Sequence, residues 1–122
     1  MTYSFTIVQK PSYLHVTVTG PNDKQVVERY LAELHRECVA RNCFRVLVEE
    51  RLEGPRLGTL DVYDLVAAGS ARARGLFQAI AYVDVNASGE LMKFAENVAV
   101  NRSLPLSVFR TVADAEAWLQ KG

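Results

Sequence analysis

The chain has 122 residues, with 14 Lys and Arg balanced by 14 Asp and Glu, 49% hydrophobic residues and two cysteines. A chain of this size buries about two thirds of its unfolded surface without disulfides or metals, so residues 1–122 are expected to form one domain. The charge balance excludes the concentrated positive field of a non-specific nucleic-acid binder, and no apolar run or signal-like start is present, so a soluble, cytoplasmic protein without stable membrane association is expected.

Tyr3, Phe5 and Ile7 alternate with polar neighbours, and Leu14, Val16 and Val18 do the same, the period of half-buried strands. The polar connector between them holds Pro11, which cannot continue a ladder, so the two strands form an antiparallel hairpin. Gly20 and Pro21 are expected to break the second strand, and Asn22 with Gln25 reads as a variant capping box. The period then changes: Val27, Leu31, Leu34 and Cys38 form the apolar stripe of a helix of about 18 residues, which Asn42 stops.

Residues 44–48 read as a short strand buried on both faces, and the helix before it implies parallel pairing. Residues 49–58, rich in charge, Gly and Pro, read as a loop. Thr59 is expected to cap a second helix with Asp61 in its first turn, where a carboxylate complements the helix dipole. A fourth strand is expected over 77–83, and Leu91, Phe94, Ala95, Val98 and Ala99 then mark a third helix that Asn101 ends. A fifth strand over 105–109 follows, and Thr111 with Asp114 caps a last helix bearing Ala115, Trp118 and Leu119. The order ββαβαβαβα predicts an α/β fold: a five-stranded, mostly parallel sheet with an N-terminal antiparallel hairpin and four helices.

No catalytic constellation emerges from the motifs. His35, Cys38 and Cys43 lie close in sequence, but their spacing suits no four-ligand metal set, and buried cysteines are the plainer reading. The chain has no Gly-x-Ser-x-Gly, Walker or Gly-x-Gly-x-x-Gly segment, so neither a catalytic residue nor a cofactor is assigned. Glu49 and Glu50 offer a carboxylate pair, the alternative being a buried strand reaching water. Arg72 and Arg74 complement the C-terminal dipole of the second helix. Ligands and partners of parallel sheets gather at the carboxyl ends of the strands, so the candidate surface consists of Glu49, Arg51, Arg56, Gly58, Thr59, Asp61, Asn86 and Ser88. An edge position for the first strand leaves a homodimer open.

Residues 44–49, the Gly58-Thr59-Leu60-Asp61 segment, and residues 101–109 leading into 115–119 together resemble the STAS and SpoIIAA-like superfamily. The nearest resemblance is to small bacterial SpoIIAA-like proteins, which are also similar to the CRAL-TRIO-like fold. The resemblance implies a non-catalytic regulatory domain with a protein partner, as in anti-sigma factor antagonists. In those antagonists a serine after an aspartate is phosphorylated at the start of the second helix. Gly58-Thr59 stands there in this chain, which lacks the Asp-Ser pair and makes Thr59 the candidate phosphoacceptor. The CRAL-TRIO similarity implies the alternative, a carrier of a small apolar or lipid-like ligand held between the sheet and helices bearing Tyr63, Val66, Leu91 and Phe94.

Overall fold

The computed structural model describes residues 3–54, 57–73, 75–84 and 89–121. It has the expected order: β1 (Ser4–Gln9), β2 (Leu14–Pro21), α1 (Lys24–Arg41), β3 (Arg45–Glu53), α2 (Thr59–Arg72), β4 (Ala79–Asp84), α3 (Gly89–Asn101), β5 (Leu106–Phe109) and α4 (Val112–Lys121). The strands lie in the sheet order β1-β2-β3-β4-β5, antiparallel between β1 and β2 and parallel thereafter.

That monotonic strand order decides where the helices go. Three successive right-handed crossovers stepping in one direction place α1, α2 and α3 on the same face of the sheet. The larger core bears this out, joining Tyr30 and Leu34 of α1, Leu65 of α2 and Ala99 of α3 to Val16, Val48 and Ile80 of the strands. The terminal helix α4 bridges no strands and turns back onto the other face, where Ala115 and Leu119 pack on Leu47, Ala81 and Val83. Trp118 closes this smaller core against Phe109, with ring centroids 5.5 Å apart. Since α4 covers β3 to β5, the β1–β2 half of its face meets solvent, with Ser4, Thr6, Val8 and Thr19 exposed.

Several boundaries differ from those expected. β2 does not break at Gly20 but runs through it to Pro21, pairing Gly20 with Leu52 and Pro21 with Glu53. Gly20 makes this feasible with φ of 141°, a conformation that side chains disfavour, and Pro21 sits at the last rung, where a missing N–H is tolerated. β3 therefore extends to Glu53 and absorbs half of the expected loop, because fully buried Leu52 continues the inward alternation that the surrounding charges conceal. The cap of α1 is Asp23 rather than Asn22; its Oδ1 accepts the N–H groups of Gln25 at 2.8 Å and Val26 at 3.4 Å. The cap of α2 is Gly58, so Thr59 is the first residue of the helix and caps nothing. Asn42 does end α1, in the left-handed conformation, and the Thr111 hydroxyl accepts the Asp114 N–H at 3.1 Å as its spacing predicts. No described helix is long and apolar enough to cross a membrane.

Candidate functional site

Successive residues of a strand point to opposite faces. Glu49 and Glu50 are therefore not a carboxylate pair: Glu50 faces α1 to α3, while Glu49 faces the side that α4 only partly covers. Neither glutamate reaches water as a strand end would, since they are 7% and 3% exposed.

Glu50 stands beside Asp84 in the β3–β4 register, two rungs beyond the Val48–Tyr82 pair and on the same face. The Tyr30 hydroxyl reaches down from α1 and donates to Glu50 Oε2. The Tyr82 hydroxyl and the Asp84 carboxyl are within hydrogen-bonding reach of the same carboxyl. Burial removes the water that would solvate a carboxylate, and the neighbouring Asp84 adds repulsion; against the Tyr30 and Tyr82 hydrogen bonds, these push Glu50 up to about 7. Burial, followed by the charge of Glu50, raises Tyr30 and Tyr82 well above the usual tyrosine range. Near neutral pH the cluster holds an exchangeable proton inside the protein and two phenol protons that stay in place.

These polar groups form part of the wall of a cavity of about 160 Å³ between the sheet and α1 to α3. Apart from His35 and Asn22, the rest of its described wall is apolar, with Leu34 of α1, Leu65 and Val66 of α2, Met92 of α3, and Val48 and Ile80 of the sheet. Gly69 of α2 also faces it, and a β-carbon there would meet nothing within 4 Å. Of the residues expected to bound such a space, Val66 does so; Tyr63 lies 40% exposed under the Arg102 guanidinium, 5.3 Å from its ring centroid. Phe94 is half-buried beside the lining residues Met92 and Ala95, and the side chain of Leu91 lies outside the described residues.

On the opposite face Glu49 accepts a hydrogen bond from His15 Nε2 at 2.8 Å and is ion-paired with Arg51. Burial alone would raise the Glu49 carboxyl, but the His15 and Arg51 hydrogen bonds and the Arg51 charge outweigh it and hold it below the usual carboxylate range. Gly58 and Thr59 are exposed at the start of α2, and Asp61 in its first turn lies 3.6 Å from Lys24 Nζ of α1. The expected surface is thus divided, with Glu49 and Arg51 on one face and Gly58, Thr59 and Asp61 beyond the other. Arg56, Asn86 and Ser88 lie outside the described residues, as do Arg74 and the side chain of Arg72. Cys38 is fully buried, its thiol pushed up to about 12 chiefly by burial, and Cys43 is half-buried with its Sγ 3.7 Å from the Arg45 carbonyl. Among the described residues no group of three His, Cys, Asp or Glu could hold a metal ion.

Sequence reasoning passed over Tyr30 and Tyr82 and did not separate Glu50 from Glu49. Helical spacing did contain the signal for Tyr30, which follows Val27 by three residues and precedes Leu34 by four. Counting alternate residues back from Leu52 through Glu50 and Val48 would likewise have put Glu50 on the apolar face. No protein-family model matches this chain, and no curated protein matches it significantly.

Proposed function

We propose that the protein is a small-molecule-binding module whose ligand has a compact apolar body and one hydrogen-bonding head. The observation that carries this reading is the cavity of about 160 Å³, apolar over most of its wall and furnished with the Glu50, Tyr30 and Tyr82 side chains. Such pockets, largely apolar with a few convergent polar groups and a shifted pKa, are the usual form of ligand sites. Volume bounds the ligand: apolar cavities of about 150 Å³ accept benzene, so a single ring or a short branched chain fits, and a long acyl chain would require the helices to part. Among the described lining residues no nucleophile has a base beside it, and the reading is accordingly one of binding.

Thermal unfolding with benzyl alcohol, a neutral single-ring probe, tests the reading. At about ten times its Kd a ligand of the folded state adds about 1.4 kcal/mol, a rise in Tm of about 5 °C at this chain length. Methyl resonances of Leu34, Val48 and Leu65 should move in the same titration. An unchanged Tm together with unmoved methyls at millimolar probe would refute it.

A second reading follows the family resemblance, in which a protein partner docks at the strand ends and phosphorylation of Thr59 controls it. It is supported by the exposed first residue of α2 following a cap that supplies no side-chain acceptor, which leaves backbone N–H groups for a phosphate. Incubation with cell extract and ATP, followed by mass spectrometry of the Thr59 peptide, decides this; an unmodified peptide removes the switch. Both cysteines are unpaired thiols, which fits the reducing, cytoplasmic setting belonging to either reading.

A further inference from the structure

We propose that Cys38 and Cys43 form a reversible redox pair, a dithiol that exchange with glutathione disulfide closes into an intramolecular disulfide across the C-terminal end of α1.

The pairing follows from how α1 stops. Asn42 takes the left-handed conformation, with φ of 51°, and the chain folds back over the helix end. The Cys43 N–H then donates to the Cys38 carbonyl at 3.0 Å, and the Asn42 N–H to the Val39 carbonyl at 3.2 Å. These are the two bonds of a Schellman motif, in which the side chains at the positions of Cys38 and Cys43 meet, ordinarily as an apolar contact. In this chain both of those side chains are thiols. An N–H···O bond of this kind holds the two α-carbons about 5–6.5 Å apart, inside the range of roughly 4.4–6.8 Å that a disulfide spans. Cys38 belongs to the larger core, and Cys43 packs against that same core. Burial first, then the neighbouring Cys43, push the Cys38 thiol up to about 12, so each sulfur lies within electrostatic reach of the other.

Access differs between the two sulfurs, and that sets the order of events. Cys43 is half-buried next to exposed Asn42, its Sγ 3.7 Å from the Arg45 carbonyl, whereas Cys38 has no contact with solvent. The Cys43 thiolate attacks one sulfur of glutathione disulfide; that S–S bond breaks, and one glutathione leaves as a thiolate that takes up a proton equivalent to the one Cys43 gave up. Cys38 then loses its proton and attacks the Cys43 sulfur from inside the protein, forming the Cys38–Cys43 bond and expelling the second glutathione, which takes that proton. The protein dithiol has lost two electrons and two protons, and one glutathione disulfide has become two glutathiones. The raised Cys38 thiol makes the second step the slow one, and in a reducing compartment the pair rests as two thiols. Leu34 of the cavity wall lies one turn before Cys38, so the bond fastens the helix end beside the cavity.

Equilibration of the intact, reduced protein in glutathione redox buffers under native conditions, followed by acid quench and mass spectrometry of the whole chain and its peptides, tests this. The expected product is a monomer about 2 Da lighter, with no free thiol and a Cys38–Cys43 cross-link, which excess glutathione returns to the dithiol. The ratio of disulfide to dithiol in a given buffer should be at least about threefold larger for the folded protein than in about 8 M urea, where chain flexibility alone brings the sulfurs together. Cys43→Ser, which keeps a donor for the Arg45 carbonyl, should leave the buried Cys38 unmodified. Should that variant not fold, the comparison of native and urea equilibria on the unaltered protein decides alone. A folded-state ratio short of that gain, a product that stops at the mixed disulfide about 305 Da heavier, or cross-linking between two chains overturns the proposal. Glutathionylation of Cys38 in a folded Cys43→Ser protein does so as well, since the buried thiol would then need no partner to react.

Discussion

Glu49 and Glu50 are adjacent in sequence and nearly equal in solvent exposure, yet their carboxyl groups shift in opposite directions. What separates them is the company kept by each face of β3. On the α4 side Glu49 meets an imidazole and a guanidinium, both of which stabilise the carboxylate. On the side of α1 to α3 Glu50 meets two phenols and a second carboxyl, and two hydrogen bonds do not compensate for lost water and added repulsion. With solvent exposure nearly equal, the state of each acid is decided by its neighbours together with how much protein surrounds it, which is far more around Glu50 than around Glu49. One glutamate is a structural ion-pair partner, and the other is a proton-holding group in a cavity.

The largest test of this contrast is the pH dependence of stability. Glu50 is raised from an ordinary value of 4.5 to about 7 in the folded protein. As pH rises through that window the unfolded chain gives up the proton first, so the native state binds more protons and its stability falls. A shift of this size corresponds to about 3 kcal/mol, lost progressively and complete above pH 7. Glu50→Gln removes the titration, so its stability relative to the unaltered protein should improve by that order between pH 4.5 and 8 in urea unfolding. Parallel profiles for the two proteins would show that Glu50 titrates normally.

Tyr30→Phe probes the same corner from α1. It deletes the donor to Glu50 while leaving the fully buried ring in place. Hydrogen bonds to charged groups contribute about 1.5–3 kcal/mol, and neutral ones about half that. The loss should therefore be about 2 kcal/mol at pH 8 and about 1 kcal/mol at pH 5, with the Glu50 midpoint moved higher still. A loss that does not change with pH would mean that the phenol does not act through the carboxylate.

Gly69→Ala enlarges the cavity wall instead of altering its charge. Gly69 lies inside α2, where glycine costs about 0.5–1 kcal/mol relative to alanine, and the added methyl meets no atom within 4 Å. Stability should rise by about 1 kcal/mol, while binding of benzyl alcohol weakens because the methyl enters the cavity. A destabilised variant would show that the space around Gly69 closes in solution.

The order of elements was legible because each period is long or unambiguous. Strands β1 and β2 alternate, Leu34 and Cys38 repeat helically, and Asn42 stops its helix in the conformation for which asparagine is suited. The errors have local causes. Asp23 displaced Asn22 because neighbouring residues with the same capping chemistry differ only in backbone angle, and β3 was cut short because charges at 49, 50, 51 and 53 mask a strand of which only Leu52 continues the apolar alternation. The cavity and its acidic corner were beyond sequence reading for another reason. They depend on which rung of β4 stands beside Glu50 and on how far α1 lies from the sheet, and register and spacing are tertiary properties.

The smallest effect belongs to the other face. His15→Ala deletes the hydrogen bond from Nε2 to Glu49 but leaves Arg51 in place, and a partly exposed pair of this kind contributes about 0.5–1 kcal/mol. Glu49 has a lowered folded pKa, so its stabilisation is present above the unfolded value and is lost as pH falls through the folded one. The loss caused by His15→Ala should accordingly be full at pH 7 and should fade in acid, a slope opposite in sign to that of Glu50 and lying below its window. A double-mutant cycle with Glu49→Gln isolates the pair from the separate cost of each substitution. A coupling that persists undiminished at pH 3 would assign the His15 contribution to packing on the sheet, and the opposition between the two faces would then rest on Arg51 alone.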